Sequence, residues 1–203
     1  MIAIVDYGMC NLDSVKRAVE ECGGAGIITS DPRDVETATQ IILPGVGAFG
    51  DAMKNLRAAR LDVAMGEQVI EKQIPFLGIC LGMQLMAATG TEHGQHAGLG
   101  WIDGEVRRLT PANSSERIPH IGWNEVHYQQ DSPLFRGVPD GTDFYFVHSY
   151  AVYPTQPNEI TGNTPYAGSF VSTVRRDWLF GVQFHPEKSQ KMGFRVLRNF
   201  LAL

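Results

Sequence analysis

Three cysteines, Cys10, Cys22 and Cys80, and six histidines are the side chains best suited to covalent and proton-transfer chemistry in this 203-residue chain. Cys80 is set apart by its neighbours. Gly78-Ile79-Cys80-Leu81-Gly82 reads G-x-C-x-G, at the end of an apolar run and the start of a helical one. It is the G-x-S-x-G nucleophile turn with sulfur in place of oxygen. Small flanking residues leave room for a strained turn that lifts the nucleophile clear of a sheet. A helix starting behind the thiol favours the thiolate. The N–H of Leu81 then points into the site as an oxyanion donor. The competing reading is a buried thiol acting as a small hydrophobe. That reading suits Cys22, on the apolar face of a helix. Cys10 lies in a loop with no base beside it in sequence and reads as incidental.

A cysteine nucleophile needs a base. His185 is the strongest candidate, because it ends the apolar run Leu179–Phe184 and precedes Pro186-Glu187. The residue before proline is held extended, and in an extended chain residues i and i+2 point the same way. Glu187 is therefore placed to orient the His185 ring as an aspartate does in a Ser-His-Asp triad. The competing reading is a surface histidine followed by a helix-start glutamate. His148 ends the run Phe144–Val147 and is a candidate to line the site. His120 and His127 flank a strand-like segment and read as ordinary. His93 and His96, with Glu92, lie in a polar loop whose spacing is weak evidence for a metal.

A second loop invites a cofactor reading. Gly45-Val46-Gly47-Ala48-Phe49-Gly50 fits G-x-G-x-x-G after a strand and before a helix. A dinucleotide site also needs an acidic residue ending a second strand about 20 residues on. That region here is Glu67–Glu71, inside a helical stretch. A tight turn, or a turn whose backbone N–H groups approach a ligand and stabilise developing negative charge, fits better.

These groups need strands and helices to hold them. Ile2–Val5, Ile27–Thr29, Ile41–Leu43 and Phe76–Ile79 are short apolar runs. Helical patterns separate them: Leu12, Val15, Val19 and Cys22; then Ala48 to about Gln73, broken near Leu61; then Met83 through Ala87. This alternation predicts a parallel sheet covered on both faces. The second half is strand-rich, with Trp101–Leu109, Ile118–Tyr128, Phe144–Tyr153, Phe170–Arg175 and Leu179–Phe184 separated by Pro and Gly turns. Stretches near Gly90–Gly98 and Pro111–Glu116 read as loops. A last helix sets Phe194, Leu197 and Leu201 on one face.

Composition narrows the classes. The net charge is −5, and no Lys/Arg block exceeds the pairs Arg107-Arg108 and Arg175-Arg176, which argues against nucleic-acid binding. No run approaches the ~20 apolar residues of a membrane span, and the N-terminus lacks a signal-peptide pattern. A soluble, cytoplasmic protein of one domain, residues 1–203, is expected. Sparse cysteines without a CxxC argue against a disulfide framework or a structural zinc.

Gly78–Gly82 and Gly181-Val182-Gln183-Phe184-His185-Pro186-Glu187 together resemble the two signatures of triad (class I) glutamine amidotransferases. Four further segments resemble the glutaminase subunits of imidazole glycerol phosphate synthases: Asp6–Leu12, Pro44–Phe49, Pro119–Val126 and Phe144–Tyr150. The resemblance runs from Met1 to Leu203. It implies a three-layer α/β fold with a mostly parallel central sheet and additional antiparallel strands in the second half. It implies a Cys80–His185–Glu187 triad that cuts glutamine to glutamate and ammonia through a thioester. Leu81 and Val46 would supply the oxyanion-hole N–H groups. Gly47, Gln84, Glu92, Ser149 and Tyr150 would hold glutamine. Asn11, Trp123, Tyr145 and Lys188 match positions facing a cyclase (synthase) subunit, in a heterodimer that needs no cofactor or metal in this chain. An eight-fold barrel cyclase takes about 250 residues, so the user of the ammonia would be a second protein. Cys10 stands where a glycine is usual, and Ala87-Ala88-Thr89-Gly90 replaces a bulkier stretch. Gly100–Asp103 and Lys188–Gly193 are somewhat similar to paralogues that serve surface-polysaccharide amidation, an alternative destination for the ammonia. A cysteine peptidase or hydrolase on the same turn, and a binding subunit with a dead site, are the rivals from other classes.

Overall fold

The computed structural model describes residues 1–128 and 132–203. Four parallel strands form first, from runs that are apolar at almost every position: β1 Ile2–Val5, β2 Gly26–Thr29, β3 Gln40–Gly45 and β4 Phe76–Cys80. Continuous apolar strands are what a sheet buried on both faces selects. The alternation of side chains divides them cleanly. Ala3, Val5, Ile41 and Leu43 face one hydrophobic cluster, and Ile2, Ile4, Ile42 and Leu77 face the other. Helix α1 (Leu12–Glu21) covers the second cluster with Val15, Ala18 and Val19. Across the sheet, α2 (Pro32–Glu36), α3 (Phe49–Ala58) and α4 (Leu61–Gly66) cover the first with Val35, Leu56 and Met65. Each such fully buried side chain stabilises the fold by about 1.5–3 kcal/mol. Helix α3 ends at Ala58 and α4 begins at Leu61 after Arg60 at φ +58°, so the break expected near Leu61 is present, and a π-helical turn, Glu67–Glu71, continues α4.

The remaining elements are α5 (Leu81–Leu85), β5 (Ala87–Gly90), β6 (His96–Ala97), β7 (Ile102–Arg108), β8 (His120–Tyr128), β9 (Thr142–His148), β10 (Tyr150–Pro154), β11 (Ile160–Thr164), β12 (Phe170–Arg176), β13 (Leu179–Val182) and α6 (Gln190–Leu201). Among the described residues the main sheet has nine strands, in the order β2-β1-β3-β4-β13-β12-β11-β8-β9. It is parallel through β13 and antiparallel beyond. A second sheet, β10-β7-β5-β6, lies on the side of the first cluster, where Val106 and Val152 join it. The α/β architecture expected from the sequence, with additional antiparallel strands in the second half, is present, and one antiparallel pair, β5 with β6, already forms before residue 100.

Several local expectations change. Helix α5 ends at Leu85, and Ala87 belongs to β5, because the carbonyls of Leu85, Met86 and Ala87 accept N–H groups from Leu99, Trp101 and Gly100. The strand-like run Phe144–Tyr153 breaks at Ser149. β9 pairs with β8 in the large sheet, and β10 pairs with β7 in the small one. Helix α2 and strand β11 were not anticipated, although Asp31-Pro32 is a helix-start signal and the Asp31 carboxylate caps Arg33 N–H at 3.0 Å. The buried stripe of α6 is Gly193, Val196, Leu197 and Phe200, with Phe194 and Leu201 half-buried at its edge. Cys22 is half-buried, its thiol donating to the Phe194 carbonyl at 3.4 Å, rather than sealed in the core. Among the described residues no helix is long and apolar enough to cross a membrane.

Candidate active site

Strand β4 delivers Cys80 directly into α5. Its φ of +53° and ψ of −108° place a non-glycine residue in a strained turn, the signature of a nucleophile held above a sheet. The two flanking glycines explain themselves. A Cβ on Gly82 would run into the Leu43 carbonyl oxygen of the neighbouring strand, and one on Gly78 would sit 2.7 Å from the Gly82 carbonyl oxygen. Leu81 begins α5, where an N–H has no acceptor within the helix and is free to donate outward.

His185 reaches the same point from the neighbouring strand. β13 lies parallel to β4, with Val182 opposite Ile79. The His185 Nδ1 lies 2.8 Å from Glu187 Oε1, and both side chains are almost fully buried. A carboxylate can only accept, so Nδ1 carries the hydrogen and Nε2 is left as the base. The pairing arises differently from the expectation. Pro186–Lys188 is a 3₁₀ turn, and Glu187 folds back to His185 across it rather than sharing an extended face. Ser189 clamps the turn, its hydroxyl donating to the His185 carbonyl at 2.6 Å and accepting from Tyr145 N–H at 3.0 Å. Burial alone would drive the imidazole pKa down, but the Cys80 sulfur and the Glu187 carboxylate outweigh it and hold it up to about 10. The Cys80 sulfur raises the imidazole both by its charge and as a hydrogen-bonding neighbour, ahead of Glu187.

Cys80 opens into a cavity of about 410 Å³, large enough for a free amino acid. Its lining brings together the residues expected to bind substrate, Gly47, Gln84, Glu92, Ser149 and Tyr150, with Val46, Leu81 and His148. Ala48, Pro119 and Val147 complete the wall and were not anticipated; each adjoins a residue or motif that was. Gln84 Nε2 donates to the Tyr150 carbonyl at 2.9 Å. The Glu92 carboxylate accepts the Phe49 N–H at the start of α3 at 2.9 Å.

The family model for class-I glutamine amidotransferases matches residues 3–203. The chain is 51% identical to the imidazole glycerol phosphate synthase subunit HisH of Moorella thermoacetica, over 98% of this chain and 93% of that one. It is 46% identical to the same subunit of Aquifex aeolicus, over 97% and 94%. In structure it resembles a crystallised glutamine amidotransferase with a TM-score of 0.77 at 18% identity, covering 100% of this chain and 98% of the other. The chain belongs to the class-I glutamine amidotransferases.

A further residue of this amidotransferase site, beyond the cavity wall, has no role in the sequence analysis. Gln183, fully buried, donates from Nε2 to the Cys80 sulfur at 3.5 Å and accepts from Gln84 Nε2 at 3.1 Å. It stands two residues before His185 in the G-x-Q-F-H-P-E signature, so strand alternation alone could have placed it on the catalytic side.

The two residues expected to supply oxyanion N–H groups are held differently. Leu81 lines the cavity at the start of α5, whereas the Val46 N–H donates to the Met9 carbonyl at 2.9 Å. The Asp6–Asn11 loop lies against the glycine turn, and a backbone N–H beside a carbonyl takes it. Cys10 belongs to the same contact. Its thiol donates to the Pro44 carbonyl at 3.2 Å, beside the Tyr7 hydroxyl at 3.0 Å, and burial pushes the thiol pKa up to about 11.

The four residues assigned to a partner face lie apart from the cavity floor. Trp123 is 48% exposed and meets Tyr145 edge-on at 6.1 Å, and the Lys188 ammonium sits 5.9 Å from the Tyr145 ring. Ile121, 61% exposed, extends this apolar face. Asn11 is exposed at the start of α1, which packs against the Pro186–Lys188 turn. His127 is a surface residue between Glu125 and Asp140, whose carboxylates raise its pKa. His93, His96 and Glu92 form no metal-binding group among the described residues.

Proposed function

We propose that this chain is the glutaminase subunit of an imidazole glycerol phosphate synthase, one domain of residues 1–203, working in the cytoplasm as a heterodimer with its cyclase. The observation that carries this is the strained Cys80 turn facing the His185–Glu187 pair at the wall of an amino-acid-sized cavity. The two relatives above carry that subunit's name.

The Cys80 thiol gives its proton to Nε2 of His185, and Glu187 stabilises the imidazolium. The sulfur then bonds to the side-chain carboxamide carbon of glutamine, and the carbonyl electrons move to oxygen. Leu81 N–H holds that oxyanion. Collapse breaks the C–N bond as the imidazolium protonates the leaving nitrogen, releasing ammonia. Water, deprotonated by His185, attacks the thioester, the C–S bond breaks, the proton on His185 returns to the Cys80 sulfur, and glutamate leaves. Glu92 and Gly47, with the Ser149–Tyr150 segment, hold the α-amino and α-carboxyl groups.

A complete oxyanion hole needs a second donor. Val46 N–H becomes that donor only when the glycine turn releases Met9. One missing donor costs about 2.7–4 kcal/mol, or ~10²–10³ in rate. The chain alone is therefore slow, and the partner with its acceptor completes the hole. Trp123, Tyr145, Lys188 and Asn11 form the docking face.

The test uses the chain with its synthase partner. Cys80→Ala and Cys80→Ser abolish synthesis from glutamine and leave synthesis from ammonium salts intact. Normal glutamine use by either variant overturns the assignment, and co-purification with a partner of another pathway overturns the acceptor.

A further inference from the structure

Strands β8 and β9 end their ladder with two histidines directly opposite each other, His120 and His148. Directly opposed residues project to the same face of the sheet. Their rings meet in the interior, with His120 Nδ1 3.0 Å from His148 Nε2. Both are buried, and His148 lines the cavity that Cys80 opens into.

The direction of every bond in this group can be derived from its ends. Asn124 Oδ1 accepts the Glu125 N–H at 2.9 Å, so the other terminal atom, Nδ2, is the donor facing His120 Nε2 at 3.2 Å. His120 Nε2 is then bare and its Nδ1 carries hydrogen. At the far end, His148 Nδ1 lies 2.8 Å from the Tyr150 carbonyl, which can only accept. His148 Nδ1 therefore carries hydrogen and its Nε2 is bare. The two derivations agree on one polarity: Asn124 to His120 to His148 to the Tyr150 carbonyl. A proton added to either ring would set donor against donor.

The surroundings keep the rings neutral. His120 stacks on Tyr166 at 4.0 Å and meets Phe146 and Phe170 at 5.0 and 5.5 Å. His148 meets Phe170 at 4.8 Å. Burial lowers His120 to about 4 and His148 to about 3.

The chain crosses from one sheet to the other at this place. His148 is the last residue of β9, paired in the large sheet, Tyr150 is the first of β10, paired in the small one, and Ser149 lies between. One backbone bond holds the crossing residue, Leu109 N–H to the Ser149 carbonyl at 2.9 Å, and the segment forms the wall assigned to glutamine. The Tyr150 carbonyl takes two side-chain donors, His148 from one side and Gln84 from the other. Gln84 also donates to Gln183, which donates to the Cys80 sulfur.

We propose that His120 and His148 are positioning residues of the glutaminase reaction, a neutral one-directional pair that fixes the Ser149–Tyr150 crossing against the glutamine cavity. The role rests on the glutaminase reading above. His120 is buried behind His148 and acts only through it, which separates it from the groups that touch glutamine.

The experiment compares His120→Phe with His120→Asn in the chain assembled with its synthase partner. Phenylalanine keeps a ring in the aromatic box and removes the donor, leaving His148 Nε2 unsatisfied. Asparagine restores an N–H near the Nδ1 position. His120→Phe is expected to raise KM for glutamine by about ten-fold or more, with synthesis from ammonium salts unchanged. His120→Asn is expected to recover most of that loss. Nitrogen NMR of the wild-type chain is expected to show both rings with hydrogen on Nδ1 and a bare Nε2. A KM within about two-fold of wild type for His120→Phe overturns the proposal. So does equal impairment of both variants in step with Tm, or hydrogen on Nε2 of either ring. A wild-type complex that releases no glutamate from glutamine overturns the function instead, and the NMR measurement on the chain still decides the pair.

Discussion

Two strand-to-helix turns lie side by side at the ends of β3 and β4, with Gly45 paired opposite Cys80. They do opposite things. The β4 turn is buried and strained, and neighbouring backbone leaves no room at Gly78 or Gly82 for a Cβ. Its sulfur and the amide behind it are placed by the fold alone. The β3 turn is open: Val46 is 41% exposed, and Gly47 has φ +103°, a conformation that favours glycine. Its key amide is held away by one hydrogen bond to Met9. In the proposed mechanism the bond-making parts are therefore built in, and part of the charge stabilisation is held off. A net hydrogen bond of this kind contributes only ~0.5–1.5 kcal/mol, little enough for partner binding to reverse.

Four measurements would break or sharpen that contrast. The largest effect is expected from Gly82→Ala, whose Cβ meets the Leu43 carbonyl. Glutaminase activity should vanish and the unfolding midpoint should fall sharply in a denaturant titration. Retained activity would show that the β4 turn is not rigid. Next, His185→Ala should cost more in kcat than Glu187→Gln, since the carboxylate orients the base and the imidazole moves the proton. Equal losses, read in steady-state kinetics, would give Glu187 a more direct part. Third, Val46→Pro deletes the switched N–H. The partner-stimulated rate should fall ~10²–10³-fold towards the unstimulated rate, which should itself change little. Loss of both rates together would mean the β3 turn already contributes in the resting chain.

The smallest effect concerns pH. Burial holds His148 at about 3, deepened by His120 and His185 and opposed by the Tyr150 carbonyl. Burial also holds His120 at about 4, against the pull of Glu116. Unfolded histidines titrate near ~6.5. Between those values the unfolded chain binds more protons, so this contribution to stability is full above about 6.5 and is lost as the pH falls towards 4. His185, held up to about 10, works the other way, and its contribution is lost as the pH rises from about 6.5 towards 10. Urea midpoints at pH 5 and 7 should differ in the wild type and differ less in His148→Phe. An unchanged difference would place the acid sensitivity elsewhere.

Much of this was readable in one dimension because the chemistry is local. G-x-C-x-G, with its strand before and helix after, encodes a strained turn within five residues. His185 and Glu187 meet within one 3₁₀ turn, so their pairing survived an incorrect picture of the backbone between them. The parallel strands were legible because burial on both faces demands unbroken apolar runs. Ser149 was not legible as a break, because an apolar run looks the same whether it stays in one sheet or crosses to another. Helix α5 could not be bounded either, since its end is set by carbonyls that pair with the Gly98–Ile102 segment.

The sequence by itself therefore determined the candidate nucleophile, its candidate base and the presence of buried parallel strands, all consequences of short-range spacing and burial. Only the tertiary structure decided which way Val46 points, because its acceptor on Met9 lies in another loop. Only the tertiary structure joined His120 to His148, 28 residues apart, and Gln183 to Cys80, 103 apart. A hydrogen bond needs its partners within about 3.5 Å and aligned, and strand register alone fixes that for residues so distant in the chain.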